Sequence, residues 1–127
     1  MLEVVVKARH FPTEELEKVS RSLLNIFPEA DITVCGQEMV ARARDLSRFK
    51  ELIRNHRILD STRAVMLRGM ANGKITFQLN KQAAFVGKVS FAEGQAPLGP
   101  ITVEIGADDL ETLIDEVAPR TVNGEIP

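Results

Sequence analysis

The chain has 127 residues, one cysteine, no Trp or Tyr, and a formal net charge of −2. At 44% hydrophobic and 27% charged, it has the make-up of one folded domain that buries a core without disulfides or a structural metal, which excludes long intrinsic disorder. No apolar run approaches the roughly 18–20 residues of a membrane span, and no basic segment precedes the first apolar stretch, so neither a transmembrane helix nor a secretory leader is expected.

Residues 2–9, LEVVVKAR, alternate as a strand, with Leu2, Val4, Val6 and Ala8 on one face. A helix is predicted to open at FPTEELEKV, with Pro12 and Thr13 at its start. Leu16, Val19, Leu23 and Ile26 recur at helical spacing, and Pro28 stops the pattern. Residues 31–44 read as a hairpin turning at Gly36. A second helix follows Asp45, with Phe49, Leu52, Ile53 and His56 on its apolar face and Lys50, Arg54 and Arg57 on the other. A third helix runs from Ser61 to Arg68, with Gly69 at its C-terminal position.

Asn72-Gly73 is a turn, and Ile75, Phe77 and Leu79 alternate along a strand at 74–79. A short helical turn at 80–84 and a strand at 85–91 are expected next, then a loop marked by Gly94, Pro97, Gly99 and Pro100. Ile101, Val103 and Ile105 form another strand, and Asp108 and Glu111 have capping-box spacing before the closing helix. The order β-α-β-β-α-α-β-β-β-α implies an α+β fold: a mixed, largely antiparallel sheet with helices packed on one face. We expect a single domain over residues 1–118 and a frayed tail at 119–127.

Charge is distributed unevenly. Residues 42–88 hold eleven Lys/Arg and three acids, a net of +8, while the rest holds five and fifteen, a net of −10. Such asymmetry points to a polyanionic partner. Arg42 and Arg44 share a strand face, Lys50, Arg54 and Arg57 share a helix face, and Arg63, Arg68, Lys81 and Lys88 follow. Arg suits phosphate forks, and seven of the eleven are Arg. The bland alternative is that acids from the chain ends pair with these cations and erase the patch.

Enzyme chemistry is poorly supported, and no catalytic residue is expected. His10 and His56 share no metal-ligand spacing, and neither GxSxG, GxGxxG nor a P-loop occurs. Cys35 beside Gly36 reads as an inert thiol, more often buried than catalytic in this kind of position, and fits a reducing, cytoplasmic compartment. No metal or other cofactor is implied. The segment NKQAAFVGK at 80–88 offers a second candidate site: Asn80, Lys81 and Gln82 at the mouth of a helical turn suit a small anion. The alternative is a plain connector.

The stretches FKELIRNHRILDSTR at 49–63, LRG at 67–69 and FQLNKQAAFVGKV at 77–89, with FPTE at 11–14 and NIFP at 25–28, resemble uncharacterised protein family 0201. This is a set of archaeal proteins of similar length. The resemblance implies an α+β fold similar to the large-subunit ribosomal protein that binds the small five-S RNA. It carries no catalytic residue; Arg54, Arg57, Arg63, Arg68, Lys81, Gln82 and Lys88 match its basic and polar positions. The leading expectation is therefore a small RNA-binding protein gripping phosphates through the basic middle. The alternatives are a module for an anionic metabolite at 80–88, or a homodimeric structural or adaptor protein paired through an open sheet edge.

Overall fold

A computed structural model describes residues 2–92 and 99–121. The elements in chain order are β1 (Glu3–Arg9), α1 (Leu16–Ile26), β2 (Asp31–Cys35), β3 (Glu38–Ala43), α2 (Ser47–Asn55) and α3 (Leu59–Arg68). They continue with β4 (Met70–Ala71), β5 (Lys74–Asn80), α4 (Lys81–Phe85), β6 (Pro100–Gly106) and α5 (Leu110–Val117). The strands form one sheet in the order β2-β3-β1-β6-β5-β4, and every ladder among them is antiparallel. The class is α+β, and the order matches the expected one with the short α4 inserted, although β4 is not among the expected strands and stands in the count where the strand at 85–91 is expected.

Strict alternation in four strands decides the architecture. Val4, Val6 and Ala8 of β1 stand opposite Ala43, Ala41 and Met39 of β3 and opposite Ile105, Val103 and Ile101 of β6. Those three β6 residues face Ile75, Phe77 and Leu79 of β5 in turn. The result is three ranks of four apolar side chains, all buried. A face this apolar must be covered, and all the long helices cover it. Their buried residues are Val19, Leu23 and Ile26 in α1, Phe49, Leu52 and Ile53 in α2, Leu59 and Met66 in α3, and Leu113, Ile114 and Val117 in α5. A file of rings threads the core: Phe27 to Phe49 at 6.2 Å, Phe49 to Phe77 at 5.7 Å, and Phe77 to Phe91 at 5.9 Å.

Several local expectations change. α1 begins at Leu16 rather than Pro12, because the Glu14 carboxylate accepts from the Phe11 N–H at 3.0 Å and holds 11–14 as a turn. α3 begins at Leu59. The strand expected at 85–91 does not form: Phe85 ends α4, Gly87 turns the chain at φ 76°, and only Phe91 bridges β5, at Leu79. This segment still closes part of the β5 edge, through Asn80 N–H to the Ser90 carbonyl and Ala92 N–H to the Gln78 carbonyl. The cap of α5 is Asp109 rather than Asp108, accepting from the Thr112 N–H at 3.1 Å and hydroxyl at 2.7 Å. Gly94 and Pro97 of the expected loop, and residues 122–127 of the tail, lie outside the described residues. Thr121 donates its hydroxyl to Asp60 at 2.7 Å.

Gly69 ends α3 with an ordinary φ of −86°, so its role is clearance rather than left-handed geometry. A Cβ there would lie 2.0 Å from the Thr76 carbonyl oxygen of β5. Gly69→Ala is expected to cost about 1–3 kcal/mol by forcing α3 and β5 apart. Phe77→Ala, which breaks the ring file, is expected to cost about 3–5 kcal/mol. Both are read from denaturant midpoints.

The hydrogen bonds from Thr112 hold the Asp109 carboxyl below the usual aspartate range, and those from Ser47 do the same for Asp45 at the α2 entrance. Each contribution is present above the ordinary aspartate pKa and is lost as pH falls through the depressed value. Asp109→Asn is expected to keep the cap while removing its share of the acid dependence, measured by helix signal against pH.

Candidate nucleic-acid interface

The nine candidate cations separate into two groups. Lys81 and Arg63 are committed inside the fold. Lys81 is 5% exposed; its Nζ donates to the Arg9 carbonyl at 2.6 Å and to the Glu14 carboxylate at 3.2 and 3.3 Å, and sits 5.4 Å from the centre of the Phe11 ring. Glu14 is 10% exposed on the same measure. Lys81 thus faces inward, with its ammonium already bonded. Arg63, 17% exposed, pairs with Asp115 at 2.8 Å and donates to the Ala118 carbonyl at 3.2 Å, fastening α3 to α5.

The other seven are Arg42, Arg44, Lys50, Arg54, Arg57, Arg68 and Lys88. Among the described residues, none has a carboxylate within ion-pair distance; the pairs involve Lys7, Lys18, Arg21, Arg48, Arg63 and Lys81 instead. Lys50 and Arg54 lie one turn apart on α2, whose buried Phe49, Leu52 and Ile53 fix the outward face. Lys50 is half-buried near Asp45; Arg54 is exposed in the last turn. Arg57 does not extend that helical stripe. α2 ends at Asn55, and Arg57 occupies the following turn with φ 55°, a left-handed backbone that costs an L-residue roughly 1–2 kcal/mol. Arg68 is exposed at the end of α3, lining a groove with Val65 and Phe91, and Lys88 is exposed beyond Gly87. Arg42 and Arg44 share a second groove with Glu3, Glu29 and Asp31, so that corner carries both signs.

At the small-anion candidate of 80–88 the expected Asn80 cap forms, while Lys81 turns inward. Asn80 Oδ1 accepts the Ala83 N–H at 2.9 Å as the cap of α4, and Lys81 is buried. Of the three, Gln82 alone is exposed, lining a groove between α1 and α4 of about 310 Å³ that Glu14, Glu15, Lys18 and Lys81 also line, so both signs meet there. His56 is exposed at the end of α2 rather than on its apolar face, and Cys35 is exposed on β2 rather than buried. The inward fate of Lys81 was missed from sequence; its partner Glu14 lies 67 positions away, and no spacing rule connects them.

Of the six aromatic rings, Phe27, Phe49 and Phe77 are buried and Phe11, Phe85 and Phe91 are half-buried, with Phe91 lining the groove beside Arg68. Phe27, Phe49, Phe77 and Phe91 form the core file, Phe85 is half-buried, and Phe11 is covered by Lys81 and by Arg9 at 5.5 Å. No helix among the described residues is long and apolar enough to cross a membrane.

The buried pair is separable from this surface. Lys81→Met is expected to destabilise by about 3–5 kcal/mol, because Glu14 is left buried without its cation. Lys81→Met with Glu14→Gln is expected to recover much of that loss. A double-mutant cycle in denaturant checks it; a single-variant cost near zero would mean that Lys81 is not clamped.

Comparison with known proteins gives the family. A family model described as "RNA binding" matches residues 3–107. The UPF0201 protein of Methanocaldococcus jannaschii is 40% identical over 98% of this chain and 77% of its own length. A UPF0200/UPF0201 protein of Archaeoglobus fulgidus is 36% identical over 97% of this chain, which spans only 39% of that longer protein. The crystal structure of the UPF0201 protein from Methanococcus jannaschii superimposes with a TM-score of 0.91, at 40% identity and covering 98% of each chain. With sequence, fold and near-complete coverage in agreement, the chain belongs to the uncharacterised archaeal UPF0201 family.

Proposed function

We propose that this protein binds RNA by its phosphate backbone, through the cations of α2 and the segments that flank it. One observation carries the reading. Acids outnumber bases in the chain as a whole, yet seven candidate cations of the basic middle have no ion-pair partner among the described residues. An ordinary surface mixes its signs; a surface that leaves Arg unpaired suits an external polyanion. The RNA-binding description of the matching family model supports the same reading.

Lys50 and Arg54 are the pair to test, because the buried face of α2 fixes them outward together. Binding to a pool of structured and single-stranded RNA is expected to fall steeply with salt. Each phosphate neutralised contributes a slope of about −0.7 to −0.9 in log K against log salt. Lys50→Ala with Arg54→Ala is expected to shallow the slope by roughly 1.4–1.8 with little change in base preference. Absence of binding at low salt would refute the proposal.

A further inference from the structure

Two helices in this fold end with the same motif. At the end of α4, the Lys88 N–H bonds the Ala83 carbonyl at 2.9 Å and the Gly87 N–H bonds the Ala84 carbonyl at 3.0 Å, with Gly87 left-handed at φ 76°. At the end of α2, the Ile58 N–H bonds the Ile53 carbonyl at 3.0 Å and the Arg57 N–H bonds the Arg54 carbonyl at 3.1 Å, and here the left-handed residue is Arg57. This paired closure is the Schellman motif, whose left-handed position normally takes Gly because a Cβ crowds the following carbonyl. Among the described residues, the only other non-glycine with positive φ is Asn72, in the turn with Gly73, where Asn is well tolerated. The chain uses Gly for this closure at α4 and an arginine at α2.

Local contacts do not account for the arginine. Its side chain is exposed and makes no hydrogen bond or ion pair among the described residues. Asp60 lines a shallow dimple with Arg57, Leu59 and Thr121, beyond ion-pair distance, and accepts its hydrogen bond from Thr121. A cation at a helix C-terminus interacts favourably with the dipole, but Arg54 already supplies one in the last turn. Strain that the surrounding fold does not explain is a pointer to function.

We infer that an arginine rather than a glycine occupies this left-handed position because its guanidinium is a principal phosphate contact. The inference rests on the RNA reading above and extends it: the corner between α2 and α3, and not the α2 stripe alone, meets the RNA. A guanidinium engages two phosphate oxygens with a planar fork, which an ammonium cannot do.

The test compares Arg57→Gly, Arg57→Ala and Arg57→Lys by thermal melting and by salt titration against the same RNA pool. Arg57→Gly is expected to melt no lower than the wild type and about 3–6 °C above Arg57→Ala, since glycine relieves the backbone. Both are expected to bind roughly tenfold more weakly at low salt and to lose about 0.7–0.9 from the salt slope. Arg57→Lys keeps the slope, because the charge remains, and binds more weakly than the wild type. Wild-type affinity and slope in Arg57→Gly would overturn the inference while leaving RNA binding intact. An Arg57→Gly melt well below the wild type would also overturn it, by assigning Arg57 to the fold. Failure of the wild type to bind any RNA at low salt would instead refute the reading beneath it.

Discussion

The constraint on which this structure depends is the one-sidedness of its sheet. In β1, β3, β5 and β6 the residues of one parity are apolar and buried, and those of the other parity are at least partly exposed. A one-residue slip in any of these strands would carry three apolar side chains into water, so the register is strongly determined. Helices are then admitted to one face only. Each presents an apolar stripe to the ranks of Val, Ala, Ile and Phe, and each must turn its polar residues away from the sheet. The outward placement of Lys50 and Arg54 is thus a consequence of Phe49, Leu52 and Ile53 being required inside.

The buried Lys81–Glu14 pair shows why a census of basic residues overstates a binding surface. Lys81 opens α4 beside the end of β1, and its ammonium bonds a main-chain carbonyl, a carboxylate and a ring face at once. That set of partners offsets part of the cost of removing two charges from water. Glu14 also engages the Phe11 N–H, so the same carboxylate shapes the turn that delays the start of α1. Charge serves tertiary structure here, while residues of the same type elsewhere stay exposed and without an ion-pair partner among the described residues.

Much of the fold was legible because its signals are local and periodic. The alternation of Ile75, Phe77 and Leu79, the stop at Pro28 and the hairpin at Gly36 each follow from a few adjacent residues. What was not legible depended on contacts distant in sequence. FVGKVSF at 85–91 has a strand's composition, yet α4 takes its first residue and Gly87 reverses the chain before a ladder can begin. Asp108 and Asp109 are chemically equivalent as caps, and only the placement of α5 selects the second. At the candidate site, helical spacing correctly paired Lys50 with Arg54 and wrongly extended the stripe to Arg57, since nothing in the local sequence announces a helix ending on a left-handed arginine.

A net charge of −2 does not weigh against a polyanionic partner. At physiological ionic strength, exposed charges are screened over about 8 Å, so a phosphate approaching the α2–α3 corner responds to the groups near it and little to the distant chain ends. Several acids are moreover paired or engaged as caps, while Asp45, Glu51 and Asp60 lie beside that corner. Glu104 pairs with Lys7, Glu17 with Arg21, Glu14 with Lys81 and Asp115 with Arg63, while Asp109 caps α5. These pairs leave Lys50 and Arg54 without an ion-pair partner among the described residues, with Asp45 near Lys50 and the Arg48–Glu51 pair on the same helix. A protein of this kind can remain acidic overall, repel like-charged copies of itself, and still present a local positive surface to an RNA backbone.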